Sequence, residues 1–234
     1  MDNRTLLRHV FDTYNTLRFG MAAIAFFFPL LLWGWGWWHG LPLQGSMSAY
    51  YWASIEGDPP VRVLFVGGIF AIGSFLFLYK GYTFWEDWAL NFAALFVICV
   101  ALFPTSWNCG SELGPCPSSN PHVLFAIAFF ACIAYVALFQ SRKTLSELQD
   151  QAGQPDSKGQ QRYTNLYRLT SAGLVLSPVA AIIAHLAFQK YQALTYFLEL
   201  FGIWAFASFW LIKSLELRES QAERQVLRAA SRSL

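Results

Sequence analysis

The residues best suited to chemistry form two groups. The first is Gly45-Ser46-Met47-Ser48-Ala49-Tyr50-Tyr51-Trp52, where two hydroxyls, two phenols and an indole stand together without a charge between two apolar runs. The second is scattered: His122, His185 and Glu199 each lie near one end of an apolar segment. Two histidines and a glutamate are a ligand set for Zn²⁺ that leaves a fourth position for water, and the metal lowers the pKa of that water to ~7 for hydrolysis. In that reading Glu199 is a metal ligand or general base, with Ser46 and Ser48 as its catalytic companions. Tyr50, Tyr51 and Arg62 then bind an ester, amide or phosphate group. The same two histidines on neighbouring helices are also a ligand pair for haem. A plainer reading stays open for each residue: interfacial histidines satisfied by water or headgroups, as for His39 beside its tryptophans, and a carboxyl group protonated or bonded to the next helix. No His-x-x-x-His or other clustered ligand pattern occurs in the chain.

What must position these residues is an all-α membrane bundle. Of the 234 residues, 56% are hydrophobic and 13% charged, and mean hydropathy is +0.38, which moves the chain out of the soluble class. A net charge of +2 offers no nucleic-acid surface. Apolar runs over about 19–38, 61–79, 88–103, 122–139, 167–188 and 194–212 predict six transmembrane helices. An amphipathic lead-in over 1–18 precedes them and a charged helical tail over 214–234 follows. Gly34-Trp35-Gly36-Trp37-Trp38 is too bulky for a signal-peptide cleavage site and reads as an aromatic belt. The short turn over 81–87 makes spans two and three antiparallel neighbours. Asn91 reads as interhelical glue, Ser177-Pro178 predicts a kink in span five, and the Gly153–Gly159 stretch is a solvent linker. Gly67, Ala71 and Ser74 share one face of span two, and span four is rich in alanine; both predict close helix contact, within the bundle or with a partner.

Charge orients the bundle. With six spans both termini share a side, and 14 of the 16 lysines and arginines fall there, leaving Arg62 and Lys190 opposite. The positive-inside rule predicts cytoplasmic termini and external loops after spans one, three and five. Cys99 and Cys132 lie in apolar runs as small hydrophobes, whereas Cys109 and Cys116 share an external loop and are expected to form a disulfide. His39, His122 and His185 then lie near the outer ends of their spans. Glu199, about five residues into span six, lies ~8 Å below the outer interface at ~1.5 Å per residue. The 46–52 loop is expected to cap the pocket between them.

Ser46-Met47-Ser48-Ala49-Tyr50-Tyr51, Phe65-Val66-Gly67-Gly68 leading to Tyr79-Lys80-Gly81-Tyr82, Leu102-Phe103-Pro104-Thr105, His122 heading span four, and Glu199 with Trp204-Ala205-Phe206 resemble a family of bacterial six-span membrane proteins with no assigned activity. The likeness covers about 46–213. More distantly, the layout is similar to the membrane hydrolase superfamily of the alkaline ceramidases and adiponectin receptors, in which serine, aspartate and several histidines form a zinc site among the helices. That resemblance implies a zinc-dependent hydrolase of a lipid or lipid-like substrate, with His122, His185, Glu199, Ser46 and Ser48 as candidates. This chain differs in its six spans, its lack of His-x-x-x-His and its lack of an aspartate inside span two or three. The expectation is a multi-pass protein of the bacterial inner membrane with a polar pocket at the outer leaflet. Its competing role is a non-catalytic lipid- or ligand-binding protein or accessory subunit, whose partners are membrane lipids, a second copy, or a membrane complex.

Overall fold

The computed structural model describes the backbone over residues 3–55, 57–105, 121–140, 158–187 and 192–219, and side chains over 9–55, 57–105, 121–140, 162–184 and 193–218. The Cys109 and Cys116 pairing, residues 153–157 of the expected linker, Lys190 and the tail beyond 219 lie outside the described residues, while Lys158 and Gly159, expected in the linker, already belong to a helix. Among those described the fold is helical, with no strand beyond an isolated bridge between Ile55 and Asp58.

The described residues form six α-helices, in order α1 Asn3–Trp38, α2 Arg62–Leu78, α3 Phe84–Leu102, α4 His122–Tyr135, α5 Lys158–Ala187 and α6 Gln192–Glu219. A π-type turn, Val136–Gln140, prolongs α4. The predicted lead-in and first span are one continuous helix, and Arg18, expected at its inner boundary, is buried against the bundle. Gly40 stops α1: at φ 82° it adopts the left-handed conformation, the Leu41 amide reaches back to the Gly36 carbonyl at 2.9 Å, and the Gly40 amide reaches Trp37 at 2.9 Å. This reversal turns the chain back over the helix ends. At the other end Thr83 caps α3 by accepting the Glu86 amide at 3.2 Å. Helix α3 therefore begins before Glu86 and Asp87, inside the 81–87 stretch expected to be a connecting turn.

Each helix packs on its neighbour in sequence, and α6 packs on α1, so the six close into a ring. Five described helices are long and apolar enough to cross a membrane. The sixth, α2, is apolar but has 17 residues, about 25 Å at 1.5 Å per residue. The helices are apolar on their outward faces too, where Phe27, Leu31, Phe77, Phe92, Leu124 and Leu176 are exposed, as in helices surrounded by lipid. Tight packing inside falls at Gly68 and Gly73: a Cβ would lie 2.5 Å from Phe28 at the first and 2.7 Å from Ile98 at the second. The predicted Gly67, Ala71 and Ser74 face is turned outward instead, with open space around Gly67. Where both helix faces are apolar, periodicity does not say which one points inward.

Candidate functional site

The end of the bundle where α1 finishes, here the distal end, is covered by the 46–52 loop. Ser46 accepts the Ala49 amide on its Oγ at 3.2 Å and lies 2.9 Å from Ser48 Oγ, which starts a short 3-10 turn, Ser48–Tyr51. Four helices fasten this turn. The Met47 amide donates to Glu199 Oε2 of α6 at 2.6 Å, and Trp52 Nε1 donates to the Thr105 carbonyl beyond α3 at 2.7 Å. Arg62 at the start of α2 donates from Nε to the Tyr51 carbonyl at 2.8 Å, with its guanidinium 4.7 Å from the Tyr51 ring centroid and 5.4 Å from that of Trp52. Tyr50 is fully buried between Gly36 of α1 and the Tyr196 ring of α6. Burial pushes its phenol pKa up, with the Gln44 backbone nearby offsetting this in part. Tyr51 and Arg62 thus hold the loop down, and Arg62 is not part of the cavity wall below it.

Beneath the loop lies a cavity of about 320 Å³. Its upper wall carries Ser46, Ser48, Thr105, His122, Thr195 and Glu199, and its lower wall is apolar, built from residues such as Phe28, Ile69, Val97, Phe129 and Phe206. Glu199 and Phe206 are seven residues apart, so the wall descends ~10 Å along α6. Val123 and Ile127 of α4 both line the cavity and are exposed on the bundle flank, where they meet Pro178 and Ile182 of α5 in the lining. The cavity therefore opens sideways as well as being capped. Pro178 lacks an amide hydrogen and leaves its helix one bond short, while the neighbouring Ser177 hydroxyl donates to the Leu198 carbonyl of α6. Gly202 makes room for that contact, since a Cβ there would lie 3.0 Å from Ser177 Oγ.

His122 is buried at the start of α4. Its Nδ1 faces the Phe103 carbonyl at 2.9 Å and the Val100 carbonyl at 3.1 Å. Carbonyl oxygens only accept, so Nδ1 carries a hydrogen and donates to them. Of the three residues expected to hold zinc, His122 and Glu199 share the cavity wall and the His185 side chain lies outside the described residues. Among the described residues no group of three His, Cys, Asp or Glu is placed to hold a metal ion. The described set therefore does not make the three-ligand zinc centre of a catalytic site, and the His122–His185 haem pair rests on the same undescribed side chain. His39 is exposed at the end of α1, its Nδ1 2.9 Å from the Trp35 carbonyl.

The opposite, proximal end holds a polar cluster that the sequence reading missed. Glu86 and Lys213 are both fully buried and form an ion pair between α3 and α6. Lys213 Nζ also lies 5.7 to 5.9 Å from the ring centroids of Tyr79, Phe209 and Trp210. Glu86 Oε2 accepts the Tyr82 amide at 3.2 Å, and Tyr167 of α5 donates to Glu216 Oε2 at 2.6 Å. Asn91 donates to Asp87 on its own helix at 3.3 Å, in place of the expected bond to a neighbour. One sequence signal for the cluster existed: Thr83-x-x-Glu86 has the spacing of a capping box. No family model, curated protein or solved structure matches this chain.

Proposed function

We propose that this is a six-span membrane protein with cytoplasmic termini whose distal cavity binds a lipid of the outer leaflet. The observation that carries the reading is the cavity itself, polar under the loop, apolar below and open on the flank at Val123 and Ile127. An amphipathic molecule matches that gradient, and a lateral opening in a membrane faces acyl chains. The span count and orientation draw on the charge tally and on two bands of exposed aromatics, Trp33, Trp35, Trp37 and Trp38 at one end and Phe84, Trp85 and Trp88 at the other.

Lipid analysis of the protein purified in mild detergent tests the binding. Wild type is expected to carry a stoichiometric lipid that Ala126→Trp, which fills the cavity, loses; equal lipid in both would overturn the reading. Single cysteines in a cysteine-free background test the topology. Ile55→Cys should react with an impermeant maleimide on intact cells, and Lys80→Cys only after permeabilisation. A lipid hydrolase is the second reading, favoured by the Ser46–Ser48 hydroxyl pair on the same cavity wall as His122 and Glu199. Release of a cleaved lipid from a vesicle extract would establish it over simple binding.

A further inference from the structure

The two helices that carry His122 and Glu199 descend along the cavity by the same interval. Both α4 and α6 run from the distal end, and each passes from a polar wall residue to a buried phenylalanine seven residues on, His122 to Phe129 and Glu199 to Phe206. Seven residues are about two turns, so both phenylalanines lie ~10 Å below the rim. Their ring centroids are 5.7 Å apart, and together they floor the cavity. The floor is backed from below. Trp210, one turn beyond Phe206 on α6, is fully buried and packs on it with ring centroids 6.3 Å apart, and Ile133, one turn beyond Phe129 on α4, is fully buried too. Neither Trp210 nor Ile133 lines the cavity. The flank opening at Val123 and Ile127 lies higher on α4 than Phe129, so a chain that outgrows the floor has to bend out there. Two measures of the space agree. A zigzag carbon chain with bonds of ~1.5 Å advances ~1.3 Å per bond, so a depth of ~10 Å takes about eight carbons. A volume of about 320 Å³, at ~30 Å³ for a group the size of water, holds about eleven heavy atoms, which is that chain with a small head.

We infer that Phe129 and Phe206 set the chain length this cavity accepts, and that its ligand is a single-chain amphiphile with a medium-length tail of about eight to ten carbons. This rests on the lipid-binding reading and adds the chain class. The test uses the full protein in mild detergent with two photoreactive probes, octanoylglycerol and palmitoylglycerol, each with a diazirine near the end of its tail. One head group throughout keeps the readout on the chain. Cross-linked positions are mapped by peptide mass spectrometry. The octanoyl probe is expected to label the floor at Phe129, Phe206 or Ile72, and the palmitoyl probe to miss the floor and label the flank at Val123, Ile127 or Ile182. Unlabelled octanoyl, decanoyl, dodecanoyl and palmitoyl glycerols then compete for the octanoyl probe at known mole fraction in the micelle. The octanoyl and decanoyl compounds should displace it at about tenfold lower mole fraction than the palmitoyl one, a free-energy difference of about 1.4 kcal/mol. Phe206→Ala removes a ring and deepens the shaft toward Trp210, so dodecanoylglycerol should overtake octanoylglycerol in that variant. The wild-type cross-link map decides independently of whether Phe206→Ala folds. Floor labelling by the palmitoyl probe as strong as by the octanoyl one, equal competition by the two, or an unchanged order in folded Phe206→Ala would overturn the chain-length inference while leaving lipid binding in place. Cavity labelling by neither probe would remove the lipid-binding reading and this inference together.

Discussion

Replacing Lys213 with Met should be among the most damaging single changes in the bundle. Glu86 and Lys213 are 0% and 1% exposed and paired. Removing the ammonium leaves the Glu86 carboxylate with the Tyr82 amide as its remaining described donor. Breaking a buried pair from one side costs ~3–5 kcal/mol. Met matches the length of the lysine stem, so packing against Tyr79, Phe209 and Trp210 is largely kept and the loss is electrostatic. The reverse change, Glu86→Gln, strands a cation that keeps its three aromatic neighbours, and should cost less, near ~3 kcal/mol. The double variant replaces a pair by two neutral groups and should lie within ~1–2 kcal/mol of wild type, far short of the sum of the singles. Lys80 and Asp87, 3.6 Å apart with Lys80 58% exposed, supply the surface comparison; Lys80→Ala should cost no more than ~0.5 kcal/mol. Reversible unfolding in mixed SDS and mild-detergent micelles gives all four values. The reasoning fails if Lys213→Met loses under ~1 kcal/mol, or if the two single losses add in the double variant.

Three further outcomes follow from local geometry. Trp52→Phe removes the Nε1 bond to Thr105 and should cost ~1 kcal/mol, with faster hydrogen exchange confined to the 46–53 amides; exchange unchanged there would show that the loop is held by other contacts. Gly73→Ala brings a Cβ to 2.7 Å from Ile98 and should destabilise by ~1–3 kcal/mol, whereas Gly67→Ala meets nothing within 4 Å and should gain up to ~1 kcal/mol of helix stability. A reversed order in thermal unfolding would mean that the outward face of α2 is misassigned. Burial raises the Tyr50 phenol above its ordinary value of about 10, so the folded state holds this proton more tightly than the unfolded chain does. Its contribution is fully present below pH ~10 and is lost as pH rises through the folded value. Tyr50→Phe, which deletes this buried hydroxyl, should change stability by no more than ~1 kcal/mol at pH 7 and flatten that alkaline loss; a steeper loss in the variant would contradict the placement.

The first three helices were legible because their apolar runs are bounded by recognisable stops: Gly40 after α1, Pro59-Pro60 before α2, Pro104 after α3. Their inward faces were not. Gly67 and Gly68 are adjacent and chemically identical, yet one faces open space and the other Phe28, and outward residues are as apolar as inward ones. The uncharged 46–52 stretch could be read as a covering loop from its composition. Its fastening depends on contacts such as Met47 to Glu199, 152 residues apart, and Trp52 to Thr105, 53 apart, which no local pattern encodes. Counting lysines by loop hid Lys213, because a tally treats a basic residue at a helix end as solvated. Its partner is 127 residues away in sequence.

The two ends of the bundle solve the same problem in opposite ways, and this separates stability from lipid binding. At the proximal end a buried carboxylate is answered by a buried ammonium. At the distal end the Glu199 carboxyl group is answered, among the described residues, by a backbone amide of the covering loop and borders a cavity. Matched charges leave little for a ligand to add; an acceptor-rich rim over an apolar shaft leaves room for one. Glu199→Gln keeps a neutral acceptor for the Met47 amide, so its stability should fall by only ~1 kcal/mol while its content of co-purifying lipid drops below that of wild type. Lys213→Met should do the reverse, losing stability and, where still folded, keeping the wild-type lipid content. Both variants go through the same lipid analysis and unfolding assays. If Lys213→Met loses as much lipid as Glu199→Gln does, lipid binding belongs to the bundle as a whole and not to the distal rim.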